Sequence, residues 1–254
     1  YKAVPADKSI KKTDNYLIYE DENCKLSYNF WGEGGNIGFY IYNKTNENVY
    51  LNLEQSFFVL NGIAFDYFKN RVYTHSMSSG ATSSKEATAS KYVTGINYLD
   101  LFQTNRIQAS NSIGVMTSSG FSVSYNEEKV ICIPSKTSKI ITEYNINESL
   151  YRDCDLFKYP TKKQIRSKSF TKSDSPFIFS NIITYTVGQS DKQIKFENEF
   201  YISEISNYPE SEIIESKYDE YCGQKSTITT KYFKSISPDK FYIKYTKGKD
   251  TWKH

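Results

Sequence analysis

The chain has 254 residues, and 32 Lys and Arg against 29 Asp and Glu give it a net charge of +3 at pH 7. So small an imbalance does not favour nucleic acid or an anionic membrane as a partner. The mean hydropathy is -0.61, and no apolar run is long enough to predict a transmembrane helix. Aromatic residues make up 16% of the chain, with 23 Tyr and 16 Phe, which favours strands over helices.

The first segment, 1–15, is polar, rich in Lys and without hydrophobic periodicity, so it is predicted to be a flexible leader. The chain opens at Tyr1 rather than Met, which a cleaved secretion signal or a chosen expression boundary would explain equally well. We favour the signal because the rest of the chain has the pattern of an extracytoplasmic all-β module. The expected location is therefore the periplasm or the cell surface.

Residues 37–73 are predicted to form a three-stranded antiparallel meander. Aliphatic residues or Phe alternate with Tyr and polar residues along 39–42 and 49–54, and turn formers fill 43–48 between them. The preceding segment, 31–38, is rich in Gly but lacks the spacing of a dinucleotide-binding loop, since Ile37 stands where the third glycine would be. It is predicted to be a flexible connection.

Asn61-Gly62 is the strongest local signal in the meander. Asn followed by Gly most easily adopts the positive φ that both central residues of a type I′ hairpin turn require. The turn would pair Phe57 with Asp66 and Leu60 with Ile63. Both faces of this hairpin are largely apolar, so we expect it to be central and covered on both sides.

Further elements follow from local patterns. Residues 74–95 are rich in Ser, Thr and Ala and predict a long mobile loop. Short helices are predicted at 149–157 and 211–222, where apolar residues recur at helical spacing. Strands are predicted at 121–125, 130–133, 139–142, 177–187, 194–205, 227–233 and 241–245.

Three pieces of the first 145 residues carry a resemblance to a known family. They are Asn43-Lys44-Thr45 at the end of a strand, the alternating strand at 49–53, and Ile133-Pro134 leading to Ile140. Together they resemble the immunoglobulin-like β-sandwich domains of exported proteins of the bacterial envelope. The resemblance implies an exported domain, with a lipid anchor upstream of Tyr1 as one option, and it implies no catalytic residues.

The predicted fold is thus all-β and mainly antiparallel. It comprises the leader at 1–15, an immunoglobulin-like β-sandwich core at 16–148, and a β-rich extension at 149–254. The extension either packs on the same sandwich or forms a second small β domain.

The cysteines do not predict a metal or redox site, because none of the four forms a CxxC pair. Cys132 lies in an apolar strand and is expected to be a small buried residue. Cys154 and Cys222 could form a disulfide in an oxidising compartment or remain free thiols, and no pairing is predicted for Cys24.

No residue pattern identifies a reaction, and we predict a non-enzymatic protein without cofactor or metal. The only imidazoles are His75 and His254, and no motif places a nucleophile beside either of them. A hydrolase using His75 or a carboxylate pair is the least favoured alternative. The carboxylate pairs considered are Asp153 with Asp155 and Glu197 with Glu199.

The binding candidates are aromatic side chains: Tyr40, Tyr42, Tyr50, Trp31 and Trp252. The tyrosines lie on strands whose other face is aliphatic, so they form either a platform for a partner or part of a second core layer. The basic run at 161–174 lacks interleaved aromatic residues that would stack on bases, and it is predicted to be a solvated loop.

The predicted function is an exported binding or structural module at a bacterial cell envelope. One hypothesis is that loops such as 74–95 bind an unidentified protein partner or join a surface assembly. The alternative is a carbohydrate-binding module that stacks exposed aromatic rings on a glycan.

Overall fold

In the computed structural model of this chain, the described residues are 1–80, 118–147 and 153–245. They form an all-β fold with antiparallel strand pairs, as predicted. Helical structure among them is limited to α1 (Glu210–Ile213) and two 3-10 helices, Leu53–Gln55 and Lys162–Gln164. No helix in this part of the chain has the length and apolar character needed to cross a membrane.

The strands of the first half are β1 (Lys2–Pro5), β2 (Lys11–Lys12), β3 (Leu17–Glu20), β4 (Cys24–Tyr28), β5 (Phe39–Asn43), β6 (Val49–Asn52), β7 (Phe57–Leu60), β8 (Ile63–Asp66) and β9 (Val72–Gly80). Those of the second half are β10 (Ser118–Asn126), β11 (Val130–Ile133), β12 (Ser138–Ile141), β13 (Arg166–Ser169), β14 (Ile178–Val187), β15 (Ile194–Asn207), β16 (Ile214–Tyr221) and β17 (Gln224–Phe233).

These strands form two large sheets and two ribbons of two strands each. The first sheet has the order β1-β15-β14-β6-β11, with β13 paired to β15 and the β7–β8 hairpin paired to β14. The second sheet has the order β12-β5-β4-β3-β2. The ribbons are β9–β10 and β16–β17.

The two sheets contact each other through apolar side chains that form one buried cluster. The ring centroids of Tyr28 and Phe200 lie 5.4 Å apart, and those of Phe30 and Phe179 lie 5.5 Å apart. Each fully buried Leu, Ile or Phe side chain contributes about 1.5–3 kcal/mol by leaving water. This cluster therefore supplies the main driving force for folding, while the immunoglobulin-like β-sandwich stays a prediction.

The Asn61-Gly62 hairpin is confirmed in its turn and register. Asn61 and Gly62 have φ of 49° and 81°, and β7 pairs with β8 from Phe57–Asp66 to Leu60–Ile63. The expected cover on both faces is wrong. All four residues of β8 are exposed, because β8 pairs only with β7 among the described strands and forms an edge of the sheet.

The three-stranded meander is also wrong, because β5 and β6 belong to different sheets. The buried Asn43 holds the corner between them. Its Nδ2 donates to the carbonyl oxygens of Glu47 at 2.7 Å and Ile133 at 3.0 Å, and its Oδ1 accepts from the Thr45 N–H at 2.8 Å. These bonds direct the chain out of the second sheet and into the first, where β6 pairs with β11 and β14.

The predicted flexible leader is wrong as well. β1 pairs with β15, and Ala3 and Ile10 are buried against the core. In this segment single small or aliphatic residues stand between polar neighbours, and the resulting periodicity is too weak to predict a strand. The same few apolar side chains are enough to hold the segment at the edge of a sheet that other strands have formed.

The helix predicted at 211–222 is wrong over most of its length. Only α1 is helical, and β16 follows it and pairs with β17. The turn between them places Cys222 and Gly223 at φ of 51° and 77°. Tyr218 and Tyr221, whose spacing suggested a helix, are exposed rather than packed on a core. No apolar contact of these two side chains therefore stabilises a helix in this segment.

Other predictions in the second half had mixed outcomes. The strands at 177–187 and 194–205 are confirmed as β14 and β15, and they share a sheet with β6 and β7. Residues 241–245 form no strand, although Phe241 is buried. The basic run contains a 3-10 helix and β13 rather than only a loop.

Some predictions fall partly or wholly on residues outside the described ranges. The predicted loop at 74–95 begins as β9, and its remainder from residue 81 lies outside them. Residues 149–152 of the helix predicted at 149–157 also lie outside, while 153–157 form turns rather than helix.

Candidate ligand pocket

The tyrosine platform predicted from sequence is divided between the two sheets. Tyr40 and Tyr42 lie on β5 in the second sheet, whereas Tyr50 lies on β6 in the first. Tyr40 is 42% exposed, and Tyr42 and Tyr50 are half-buried. The corner at Asn43 causes this division, and Trp252 lies outside the described residues.

Trp31 and Tyr40, in contrast, meet in one pocket of about 240 Å³. The pocket lies where the β4–β5 connection returns to the second sheet, beside β12. Its lining residues are Tyr16, Asn29, Trp31, Asn36, Gly38, Phe39, Tyr40, Ile140 and Thr142. The ring centroids of Tyr16 and Tyr40 lie 5.9 Å apart, edge to face, so the two rings form one aromatic wall.

The β4–β5 connection is shaped by two glycines at positive φ. Gly34 and Gly35 have φ of 77° and 76°, and a Cβ on Gly35 would come within 2.8 Å of the Phe241 ring. The Gly34 N–H donates to the Tyr242 carbonyl oxygen at 2.9 Å. The glycine-rich segment is therefore a tightly packed connection rather than a flexible one.

Two asparagines in this connection supply polar groups to the pocket. Asn29 Oδ1 accepts from the Trp31 N–H at 3.0 Å, and Asn36 Oδ1 accepts from the Gly38 N–H at 2.8 Å. Within the described residues, the NH₂ groups of both amides have no protein acceptor. Each amide is thus oriented through its oxygen and keeps two donors for a ligand. Sequence reasoning missed both residues. In an Asx turn, an Asn side chain accepts from the backbone N–H two residues further along the chain, and this is the signal that could have identified them.

Trp31 also joins the pocket to a second aromatic group. Its ring contacts those of Phe233 at 4.9 Å and Tyr242 at 5.5 Å between centroids. The Phe233 and Tyr242 centroids lie 4.6 Å apart. These contacts restrict the motion of the indole before a ligand arrives, which lowers the entropy cost of binding.

The described lining of the pocket consists of aromatic, aliphatic, amide and hydroxyl side chains with one glycine. Among its described lining residues none carries a charge at neutral pH, and none is a histidine or carboxylate that could transfer a proton. Its volume falls below the about 300–1,000 Å³ usual for drug-sized ligands. The pocket therefore accommodates one ring-sized group.

The carboxylate pairs considered for hydrolysis are engaged in other contacts. Asp153 and Asp155 both bind Lys168 Nζ at 2.7 Å, and Glu199 forms an ion pair with Lys172. Burial alone would raise the pKa of Asp153, but the bonds from Lys168 and the Asp155 N–H hold that pKa below its usual value. Asp153 is therefore ionised at neutral pH and is not poised to act as an acid.

The remaining catalytic and metal candidates gain no support from the geometry. His75 pairs with Val123 in the β9–β10 ribbon, and its side chain and His254 lie outside the described part of the chain. The described residues contain no group of three or more His, Cys, Asp or Glu arranged to hold a metal ion.

All four cysteines are free. Cys154 and Cys222 are exposed and do not form the disulfide considered from sequence. Cys132 is half-buried rather than buried, because β11 lies at the end of its sheet. Cys24 is buried, and burial raises the pKa of its thiol to about 12, so this thiol is unreactive at neutral pH.

Fold and pocket together define an all-β protein with an uncharged aromatic pocket at one end of its second sheet. No protein-family model, no curated protein and no solved structure matches this chain.

Proposed function

We propose that this chain is a non-enzymatic binding module and that its ligand is a carbohydrate, held with one sugar ring in the Trp31 pocket. The observation that carries the proposal is the composition of the pocket. Aromatic rings from Tyr16, Trp31 and Tyr40 meet the oriented amides of Asn29 and Asn36 without any charged side chain. A sugar ring has the complementary chemistry, since it has an apolar C–H face and a rim of hydroxyl groups.

Each part of the pocket has a distinct role in this proposal. The indole of Trp31 or the phenol of Tyr40 packs against the C–H face, which removes apolar area from water at low entropy cost. The amide NH₂ groups donate to ring hydroxyl oxygens and select among sugars by the positions of those hydroxyls. A pocket of about 240 Å³ holds one residue, so the remainder of a glycan chain lies outside it.

The resemblance of the first 145 residues to exported sandwich domains is the reason to place this binding role at a bacterial cell envelope. Glycans are abundant there, and the proposed ligand chemistry agrees with that location. Cell fractionation with an antibody to the chain measures this directly, and a signal confined to the cytoplasmic fraction would remove the envelope from the proposal.

A glycan array followed by titration of the best glycan tests the proposed function. Trp31→Ala and Tyr40→Ala should each weaken binding about twofold to tenfold, since an aromatic contact contributes about 0.5–1.5 kcal/mol. Tyr50→Ala, on the other sheet, is the matched control and should bind like the parent protein. Intrinsic fluorescence of a Trp252→Phe variant isolates Trp31, whose emission should change on binding.

Two results would contradict the proposal. One is an array without signal from a folded protein. The other is glycan binding that the Trp31 and Tyr40 variants retain in full, which would place the site elsewhere. The far-UV circular dichroism of each variant shows that the fold is intact before binding is compared.

A further inference from the structure

The β16–β17 ribbon stands apart from the two sheets. Within the described ranges neither strand pairs with any other, so the ribbon has two unpaired edges. Both of its faces are open to solvent, with Ile228 74%, Tyr221 83% and Tyr218 59% exposed. Phe233 at its base contacts Trp31, which anchors the ribbon to the body.

An isolated two-stranded ribbon is at best marginally stable in water, and an unpaired edge is a template for another strand. Natural proteins protect such edges with proline, with charged side chains, with a β-bulge or with a covering element. Neither β16 nor β17 contains a proline. Both strands do carry charged residues, so an added strand must complement the charge of the edge that it joins.

Charge is segregated between the two strands. β16 carries Glu215, Asp219 and Glu220 with Lys217, a net charge of −2, and β17 carries Lys225 and Lys231, a net charge of +2. The register shift between Tyr218 and Glu220 divides the ribbon into a tip half and a base half. Each half presents an acidic residue on β16 and a lysine on β17.

We propose that the ribbon pairs with the ribbon of a second copy of this chain, with β17 of one copy beside β16 of the next. Symmetric pairing of β17 with β17, or of β16 with β16, would place like charges together and is disfavoured. Pairing β17 with β16 places Lys225 and Lys231 beside acidic residues. Because each copy then keeps one free edge of each kind, the contact does not close and copies add side by side.

The ion pairs of the single chain do not oppose this pairing. Lys231 contacts Glu210 and Lys217 contacts Glu215, each at 2.6 Å, and all four side chains are at least 34% exposed. Exposed pairs of this kind contribute about 0–1 kcal/mol. Exchanging them for contacts with a neighbouring copy therefore costs little, and the new backbone hydrogen bonds favour association.

Sedimentation velocity of the full chain over a wide range of concentration tests the pairing. The parent protein should show a sedimentation coefficient that rises with concentration. Lys225→Glu/Lys231→Glu makes both edges acidic, and Glu215→Lys/Glu220→Lys makes both edges basic, so each variant alone should lose this rise. A one-to-one mixture of the two variants should regain it, because acidic edges then meet basic ones.

The matched control is Lys8→Glu/Lys192→Glu, which makes the same change of net charge at exposed loop positions and should associate like the parent. A parent protein that stays monomeric at its highest soluble concentration overturns the proposal. So does a control that loses association, or a mixture of variants that fails to associate although the parent does.

The exposed Cys222 at the ribbon tip reports the direction of pairing. Side-by-side β17–β16 pairing puts the tips of neighbouring ribbons at the same end, about 10 Å apart across two strand spacings. A bismaleimide of that length should cross-link a Cys154→Ser variant, and Cys222→Ser in the same background should abolish the product. Association without this cross-link would mean that copies meet in another geometry and would overturn the proposed pairing.

Discussion

Glu127 is a buried carboxylate, although glutamate side chains ordinarily lie at the surface. Its side chain is fully buried at the base of the β9–β10 ribbon. It accepts from the backbone N–H of Lys69 at 2.8 Å and of Arg71 at 3.1 Å, and from Arg71 Nε at 3.1 Å. Arg71 Nη1 continues the network to Glu143 at 2.7 Å. A buried carboxylate is tolerated here because N–H groups and the Tyr73 hydroxyl, at 3.4 Å, satisfy its oxygens, and Arg71 supplies the compensating charge.

Replacing Glu127 with Gln should lower the free energy of unfolding by about 1.5–3 kcal/mol, because the new amide turns an NH₂ group toward N–H donors and Arg71 keeps only Glu143 as a carboxylate partner. Glu54→Gln removes an exposed pair with Lys129 and is the control, with an expected cost of about 0–1 kcal/mol. Urea denaturation at neutral pH measures both. Equal costs for the two variants would contradict this account of the network.

The same network predicts how stability depends on pH. Burial alone would raise the pKa of Glu127, but the bonds from Arg71 and Lys69 hold that pKa below its usual value. Its contribution is therefore complete above the unfolded-state pKa of about 4.3 and is lost as pH falls through the folded-state pKa. The stability difference between parent and Glu127→Gln should shrink across that acidic range, and should stay constant at higher pH.

At the scale of single elements, the β7–β8 turn depends on backbone conformation. Gly62 has φ of 81°, and a Cβ there would meet nothing within 4 Å. Gly62→Ala should therefore cost about 1–2 kcal/mol from backbone strain alone. Gly32 is equally free of neighbours but lies outside the left-handed region, so Gly32→Ala is the matched control and should be close to neutral. Thermal unfolding of both variants distinguishes strain from crowding.

Two turns of the same kind show what sequence can and cannot predict. Asn61-Gly62 was predictable because Asn and Gly both adopt positive φ readily. Cys222 and Gly223 also both have positive φ. Positive φ is uncommon for Cys, so this pair did not predict a turn. Without that signal, the spacing of Tyr218 and Tyr221 predicted a helix in place of β16.

The candidate pocket was predictable only in part. Trp31 and Tyr40 were predicted as binding residues from their type and strand position. Their meeting with Tyr16, Asn29 and Asn36 depends on how the connection at Gly34 and Gly35 folds back, which local pattern does not determine. The same limit applies to Tyr50, which the corner at Asn43 directs to the other sheet.

For the molecule as a whole, β14 determines which strands become neighbours. One side of β14 pairs with β15, and the other side pairs with both β6 and β7. Tyr185 lies opposite Leu51 and Asn181 opposite Phe58, although more than a hundred positions separate them in sequence. The meander prediction failed at this point, because local alternation predicts a strand but not its partner.

A chain ending at residue 147 should therefore fail to fold. Without β14 and β15, β6 and β7 lose their neighbours, and buried residues such as Leu51 and Phe58 are exposed to water. The amide proton spectrum should be poorly dispersed, and thermal unfolding should lack a cooperative transition. A cooperative transition from 1–147 alone would show instead that these residues form an independent domain.

The β9–β10 ribbon gives the molecule an entry point for foreign sequence. Val72 lies directly opposite Asn126. The ion pair between Arg71 and Glu127, one residue further from the ribbon on each strand, holds the two strands together at its base. The backbone therefore enters the ribbon at Val72 and leaves it at Asn126, and these two positions are neighbours. A guest domain whose own two ends lie close together can be grafted between these strands without moving either large sheet. The protein can in this way serve as a display scaffold.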